Sequence, residues 1–135
     1  MFLIKISTMI KLLKKNILSI ITALIILYLS LAPADTFDKV NVFNFPNIDK
    51  VVHLCMYFGL TIVLLYENRM TVKGLRSFVL LAIFPLAYGI LMEFLQSWLT
   101  TTRHAEFFDA VFDFIGIIIA LIVWKIFQSF SKRNI

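Results

Sequence analysis

Cysteine and charge are both scarce in this chain. Its 135 residues include one cysteine, Cys55, which excludes an internal disulfide and a paired-thiol redox site. Charged residues make up 16% of the chain and hydrophobic residues 61%, whereas an average soluble domain is about 25% charged. A soluble fold of this length leaves roughly a third of its surface exposed and could not cover so much apolar surface. These shortages exclude a soluble enzyme, a disordered tail and a secreted disulfide scaffold.

Four long apolar segments, at residues 16–34, 50–66, 77–99 and 109–125, contain few charges. A helix needs about 20 residues to cross the hydrocarbon core, and backbone groups in lipid must be paired within the segment. Runs such as 24–27 and 117–119 show no alternation of period two, which argues against membrane strands. The sequence contains no internal repeat and no low-complexity linker. We therefore expect an all-α integral membrane protein, a single domain over residues 1–135 with four transmembrane helices in a bundle.

The distribution of basic residues predicts the orientation of this bundle. Ten of the 13 lysines and arginines precede the first segment, separate the second from the third, or follow the fourth. These residues are Lys5, Lys11, Lys14, Lys15, Arg69, Lys73, Arg76, Lys125, Lys132 and Arg133. Because cytoplasmic loops are enriched in lysine and arginine, both termini are expected in the cytoplasm of a bacterial-type cell membrane. The net charge of +5 is then mostly a topology signal, and nucleic acid is not an expected partner.

The first segment has an alternative interpretation. A basic start, an apolar core and the sequence Ala32-Pro33-Ala34 also resemble a cleaved signal peptide. However, the apolar run is long for a signal, and Pro33 would lie in or beside the cleaved bond. We expect a retained helix, with cleavage as the alternative.

Polar side chains within the apolar segments mark the candidate site, because a central charge costs at least about 2.5–3.5 kcal/mol. Asp49, His53 and Tyr57 are spaced by four residues and share one helix face. Helical spacing also gives a face on the third segment (Gly89, Glu93, Gln96) and one on the fourth (Asp109, Asp113, Gly116, Ala120). In the predicted topology these faces meet at outer-leaflet depth. We expect a polar pocket there, open to the extracytoplasmic side or sideways to lipid.

Two packing expectations follow from these faces. Gly116 and Ala120 form a small-residue track that allows another helix to approach closely. Arg103 lies in the short loop between the third and fourth segments, above the pocket. We expect Arg103 and the side chains of His53, Glu93 and Asp109 to lie within hydrogen-bonding reach, directly or through a water.

The same residues carry a resemblance to a known family. The motifs are Asp49-Lys50-x-x-His53-x-x-x-Tyr57, Gly89-x-x-x-Glu93-x-x-Gln96, Arg103 and Asp109-x-x-x-Asp113-x-x-Gly116. In this order, over residues 49–123, they resemble the VanZ-like family, small membrane proteins named for a teicoplanin (glycopeptide) resistance determinant. That family usually has asparagine where this chain has Asp113, and glycine where it has Thr102. The resemblance implies a cell-envelope role and antibiotic resistance, but it supplies no reaction.

The candidate ligand-binding residues are Asp49, Lys50, His53, Tyr57, Glu93, Gln96, Arg103, Asp109 and Asp113. If the protein is an enzyme, Glu93 or Asp109 is the candidate general base, assisted by His53. The guanidinium of Arg103 suits a carboxylate or a phosphate. Structural alternatives remain open for several of them. These are a helix-packing network for Glu93 and Gln96, a membrane-interface position for Tyr57, and a helix-dipole role for Asp109.

The sequence does not predict a metal site. His53, Glu93, Asp109 and Asp113 offer an imidazole and carboxylates that could hold a divalent cation. The sequence has no helical His-x-x-x-His pair or other metal signature. We therefore expect no metal and no cofactor.

Three functions remain as hypotheses. The first is an envelope protein that binds a lipid-linked or cell-wall component in the outer leaflet and so affects glycopeptide susceptibility. The second is an enzyme acting on a phosphate- or acyl-bearing lipid, although no serine or cysteine nucleophile is placed beside a base. The third is a small transporter or channel. The absence of polar residues from the inner half of the predicted bundle argues against this hypothesis. The oligomeric state is not predicted.

Overall fold

The computed structural model describes residues 2–32, 48–100 and 106–133, and most of these residues lie in α-helices. The helices are α1 (Phe2–Lys15), α2 (Ile17–Leu31), α3 (Ile48–Glu67), α4 (Leu75–Leu99) and α5 (Phe107–Arg133). Within these described ranges there is no strand. The all-α expectation is therefore confirmed for them.

Three helices are long and apolar enough to cross a membrane. The candidate spans in α3, α4 and α5 contain 20, 25 and 25 residues, which corresponds to about 30–38 Å of helix. The 15 residues of α2 extend only about 22 Å, less than the ~30 Å hydrocarbon core. Residues of α1 would complete this span, but the axes of α1 and α2 differ in direction by 71°. The described chain therefore has three candidate spans, or four if the bent pair is counted as one.

The helix ends differ from the predicted segments. The first segment was expected over residues 16–34, whereas α2 ends at Leu31. In contrast, α3 begins at Ile48 rather than at residue 50, and α5 continues to Arg133 rather than ending at residue 125. Hydropathy detects only the apolar stretch, whereas helical hydrogen bonding continues into polar flanks.

The helix α3 packs most extensively against α5. Gly116 allows this approach, because a Cβ at this position would overlap the backbone carbonyl oxygen of Leu54. Ala120, one turn further along α5, is fully buried. The predicted small-residue track therefore lies in the α3–α5 interface.

The hydrophobic core begins beside the polar side chains described below, at Tyr57 and Met92, and continues toward the connection between α3 and α4. Its other buried residues are Ile26, Leu60, Leu64, Leu65, Val72, Ile117 and Trp124. Many large apolar side chains instead face outward, including Leu80, Ile90, Phe94 and Phe127, each about 60% exposed. An exposed apolar surface of this extent suits contact with lipid, since soluble monomers rarely expose large contiguous apolar patches.

At its N-terminus, α2 is joined to α3 by a side chain. The carboxylate of Glu67 accepts hydrogen bonds from the backbone N–H groups of Leu18 at 2.8 Å and Ser19 at 3.0 Å, and from the Ser19 hydroxyl. Asn68 Nδ2 donates to Asn16 Oδ1 at 2.9 Å. Glu67 therefore supplies acceptors to backbone donors that have no partner within the helix.

Two further hydrogen bonds join α2 to α4. The Tyr88 hydroxyl donates to the Ala23 carbonyl oxygen at 2.6 Å, and Gln96 Nε2 donates to the Ser30 carbonyl oxygen at 2.8 Å. Both donors lie on α4, whose helix continues through Pro85. The helix α2 is thus an integral part of the bundle.

Candidate functional site

Four polar side chains from three helices meet inside one end of the bundle. This polar cluster consists of His53 and Tyr57 on α3, Glu93 on α4 and Asp113 on α5. His53 Nδ1 lies 3.0 Å from Asp113 Oδ1 and 3.7 Å from Glu93 Oε1. None of the four residues is more than 7% exposed. The three predicted faces therefore converge on a common buried site.

The cluster lies at a single depth in the bundle. His53 is five residues from the start of α3, Glu93 is six from the end of α4, and Asp113 is six from the start of α5. At the rise of an α-helix, each lies about 8–9 Å from its helix end. These three helix ends lie at the same end of the bundle, which we call the site end. The end that holds Glu67 is called the opposite end.

Several oxygen atoms of the polar cluster have no hydrogen-bond partner among the described residues. They are both carboxylate oxygens of Glu93, Oδ2 of Asp113 and the hydroxyl oxygen of Tyr57. A buried polar group without a partner costs about 1–3 kcal/mol, and more if it is charged. A network that served only to pack the helices would pair such atoms, so the free oxygens favour a ligand-binding role.

Gly89 allows α4 to approach the cluster. A Cβ at this position would lie 2.9 Å from Asp113 Oδ2 and 3.3 Å from Cε1 of the Tyr57 ring. Both distances are shorter than an ordinary van der Waals contact. Glycine at position 89 therefore leaves room for Tyr57 and Asp113 to meet beside α4.

A second polar group, the rim, surrounds Lys50 nearer the helix ends. Its members are Asp49, Lys50, Glu106 and Asp109. Lys50 Nζ lies 2.9 Å from Glu106 Oε2, 3.5 Å from Asp49 Oδ2 and 3.9 Å from Asp109 Oδ1. Asp49 and Glu106 are exposed, whereas Asp109 is buried. The rim therefore contains its own cation, shared by three carboxylates.

The structure places the remaining predicted site residues differently. Gln96 is buried but donates to the Ser30 carbonyl oxygen of α2 rather than joining the polar cluster. Asp109 pairs with Lys50, and no direct ion pair joins it to His53. Contact between Asp109 and His53 was expected directly or through a water, and the contact through a water stays a prediction. Arg103 lies outside the described residues, so its expected position above the pocket stays a prediction.

Two residues behave differently from what their sequence context suggested. Tyr57 is fully buried, so the alternative of a membrane-interface position is wrong for it. Glu106 was not a candidate, yet it makes the closest contact of Lys50. It lies one residue before the start of α5 and outside the apolar segment, so hydropathy did not single it out, although it is spaced by three residues from Asp109 and by seven from Asp113.

An apolar groove leads from the outer surface of the bundle toward the polar cluster. It lies between α4 and α5 and has a volume of about 230 Å³. Its lining residues are Leu86, Gly89, Ile90, Phe107, Ala110, Val111, Asp113 and Phe114. Asp113 contributes the one ionisable side chain of this lining. The groove thus joins a lipid-facing surface to a buried carboxylate.

The chemistry available to the polar cluster is that of carboxylates and an imidazole. Donor atoms of His53, Glu93 and Asp113 all lie within 4.8 Å of one another. Among the described residues, no serine or cysteine side chain is hydrogen-bonded to this histidine or to either carboxylate. The arrangement suits ligand binding, cation binding or proton transfer better than covalent acyl transfer.

The described residues show no polar path from the site end to the opposite end. Below the polar cluster, Leu60, Leu64 and Ile117 fill the space between the helices. The Thr61 hydroxyl, at similar depth, donates to the Tyr57 carbonyl oxygen of its own helix. Apolar packing therefore separates the polar cluster from the opposite end in the part of the chain that the structure describes.

Comparisons with known proteins identify no relative. The chain matches no family model, no curated protein and no solved structure. The resemblance to the VanZ-like family therefore depends on its motifs alone, and the function is inferred from the site itself.

Proposed function

We propose that this chain is a VanZ-like protein of the bacterial cell envelope that binds a lipid-linked or cell-wall component from the outer leaflet. The observation that carries this proposal is the apolar groove between α4 and α5, which ends at Asp113 in the polar cluster. A ligand that fits such a site has an apolar chain and a polar head. Lipid-linked cell-wall components have both parts.

The dimensions and charges support an amphiphilic ligand. The groove, at about 230 Å³, is smaller than typical pockets of about 300–1,000 Å³. It would hold part of an acyl or prenyl chain, with the rest of the chain in the bilayer. Oδ2 of Asp113, which has no hydrogen-bond partner and belongs to a residue that lines the groove, would accept a hydrogen bond from a hydroxyl or amine group of the head.

The proposed orientation places the site end outside the cell and both termini in the cytoplasm. Arg69, Lys73 and Arg76 lie at the opposite end, in or beside the connection from α3 to α4. The basic residues before α2 and after residue 124 belong to the same side. This excess of lysine and arginine is typical of the cytoplasmic side.

The proposal is tested in a susceptible bacterial host that expresses the wild-type chain and matched variants. Glu93→Gln removes a free carboxylate, and Ala110→Phe places an aromatic ring in the groove. Glu67→Gln is the matched control, because it makes the same substitution at the opposite end and lowers stability there without changing the pocket. A loss seen only in the pocket variants is then not a general effect of lower stability. Teicoplanin susceptibility and the envelope lipid profile by mass spectrometry are recorded at equal membrane levels.

We expect the wild-type chain and Glu67→Gln to change teicoplanin susceptibility or the lipid profile, and Glu93→Gln and Ala110→Phe to lose that change. If all four chains have the same effect, the pocket does not carry the function. If the wild-type chain has no effect on either readout, the envelope role is wrong.

A second candidate function is a membrane enzyme acting on a phosphate- or acyl-bearing lipid. The observation that favours it is the hydrogen bond of 3.0 Å between His53 Nδ1 and Asp113 Oδ1, since an imidazole held by a carboxylate suits general acid–base catalysis. Purified protein would be incubated with vesicles containing phospholipid and prenyl phosphate, and released phosphate and fatty acid would be measured. Binding without any product would exclude the enzyme hypothesis for these lipids.

A further inference from the structure

We infer that His53, Glu93 and Asp113 bind a divalent transition-metal cation of the Zn²⁺ or Mn²⁺ class at the base of the pocket. The three side chains come from three different helices, and their donor atoms lie within 4.8 Å of one another. The inference rests on the proposed function in so far as the ion and the ligand would share one pocket. It names a component of that pocket that the sequence motifs did not predict.

The separations of the donor atoms match those of a metal-ligand set. With metal–nitrogen and metal–oxygen bonds of about 2.0–2.2 Å, neighbouring ligand atoms are about 3.0–3.5 Å apart in octahedral and tetrahedral geometry. His53 Nδ1 lies 3.0 Å from Asp113 Oδ1 and 3.7 Å from Glu93 Oε1. Small side-chain adjustments would bring all three atoms onto one ion.

Unpaired buried oxygens provide a second and independent indication. Glu93 is 7% exposed, yet among the described residues no side chain donates a hydrogen bond to either of its carboxylate oxygens, and His53 Nδ1 lies 3.7 Å from Oε1. Oδ2 of Asp113, which is 2% exposed, also has none. Buried charges are normally paired or coordinate a metal, so a bound cation would satisfy these atoms in their charged form.

The two acidic groups at the site end differ in how their charge is compensated. At the rim, Lys50 contacts three carboxylates. Within the described residues, no lysine or arginine forms an ion pair with Glu93 or Asp113, and His53 is their one basic neighbour. A divalent ion would balance the two carboxylates and leave the imidazole neutral, as a metal ligand requires.

The chemistry of the donors indicates the class of ion. An imidazole nitrogen disfavours Mg²⁺ and Ca²⁺, which take oxygen ligands, and the absence of a thiolate among the three donors disfavours soft ions such as Cu⁺. Three protein ligands leave at least one position open. A phosphate oxygen of a lipid head could take that position, which would offset the repulsion between an anionic head and the acidic cluster.

The ligand set also explains why the sequence predicted no metal. Helical metal motifs place two ligands on one helix at fixed spacing. Here each helix contributes one ligand, and residues 53, 93 and 113 are far apart in the chain. Only the packing of α3, α4 and α5 brings them together.

The experiment measures metal on the purified full-length chain in detergent. After dialysis with Zn²⁺ or Mn²⁺ and gel filtration, mass spectrometry counts bound ions per chain for wild type, Glu93→Gln, Asp113→Asn and the control Glu67→Gln. We expect about one ion in the wild type and the control. In both cluster variants the affinity should fall by about 100-fold or more, since even outer-shell substitutions reduce it about 10–100-fold.

A spectroscopic measurement on the wild-type chain alone covers the case in which the cluster variants fail to fold. Co²⁺ titrated into the wild-type chain should give saturable visible absorption bands at about one equivalent, displaced by Zn²⁺. No saturable Co²⁺ spectrum and no retained ion in the wild type would overturn the inference. So would equal retention by the folded cluster variants and the control. A metal-free chain that still changes teicoplanin susceptibility would reject the ion and keep the proposed function. An ion that binds without any cellular effect would support the ion and reject the proposed function.

Discussion

At the scale of single residues, the polar cluster depends on the absence of a side chain at Gly89. A Cβ there would lie 2.9 Å from Asp113 Oδ2, and the Tyr57 ring limits movement on the other side. The site therefore depends on a residue that contributes no chemistry. Sequence analysis placed Gly89 on the correct face but could not show which atoms meet it.

We predict that Gly89→Ala destabilises the protein relative to Gly59→Ala. Overpacking a close contact typically costs about 1–3 kcal/mol, whereas a glycine in a helix interior is itself about 0.5–1 kcal/mol less favourable than alanine. At Gly59 a Cβ meets nothing within 4 Å, so only the helix-propensity gain applies. Thermal unfolding in detergent should give a lower midpoint for Gly89→Ala than for Gly59→Ala. Equal midpoints would mean that the contact between α4 and the polar cluster adjusts to the added Cβ with little loss of free energy of unfolding.

At the scale of helices, the attachment of α2 to α3 depends on one carboxylate. Glu67 accepts from two backbone N–H groups and a hydroxyl at the start of α2. Negative charge at a helix N-terminus is also favourable to the helix dipole. Hydropathy could not reveal this contact, because it assigns Glu67 only to the end of an apolar segment.

We predict that Glu67→Gln loosens the N-terminal turn of α2. Glutamine offers one acceptor oxygen, and its amide nitrogen cannot accept from an N–H group. The loss of hydrogen bonds to a charged group should cost about 1.5–3 kcal/mol. Hydrogen exchange should show faster exchange at Leu18 and Ser19, with little change in α5. Glu106→Gln, which breaks an exposed ion pair, is the control and should cost less than about 1 kcal/mol.

At the scale of the whole molecule, the two ends of the bundle differ in charge and in chemistry. The site end carries the polar cluster and the rim, and the opposite end carries basic residues and the α1–α2 bend. An apolar core separates them. This asymmetry is what a protein needs if it binds a ligand from one leaflet without opening a path across the membrane.

We predict that the site end is accessible from outside the cell. In a Cys55→Ser background, single cysteines at Glu106→Cys and Thr71→Cys would be labelled with a membrane-impermeant maleimide. Both positions are exposed and lie near opposite ends of the bundle. Glu106→Cys should react in intact cells, and Thr71→Cys only after permeabilisation. The reverse pattern would show that the termini and the site have exchanged sides.

Much of the architecture was predictable because it depends on local sequence. Residues spaced by three or four share a helix face whatever surrounds them, so the faces of His53, Glu93 and Asp113 followed from the helical period. The extended ends of α5 and the separate helix α1 were not anticipated, since a hydropathy profile responds to side chains and not to backbone hydrogen bonding. A hydropathy profile also could not predict which partner each polar side chain contacts.

The sequence by itself determined a helical chain with apolar segments long enough to cross a membrane and three polar faces, because segment length, hydropathy and helical period are local properties. The tertiary structure decided which polar side chains contact each other. Asp113 is hydrogen-bonded to His53, and Gln96 donates to α2. Lys50 forms ion pairs with both Asp109 and Glu106. A helix fixes the direction of each side chain only about its own axis. Which side chains meet depends on the rotation and register between helices, and these are set by close contacts such as those at Gly89 and Gly116.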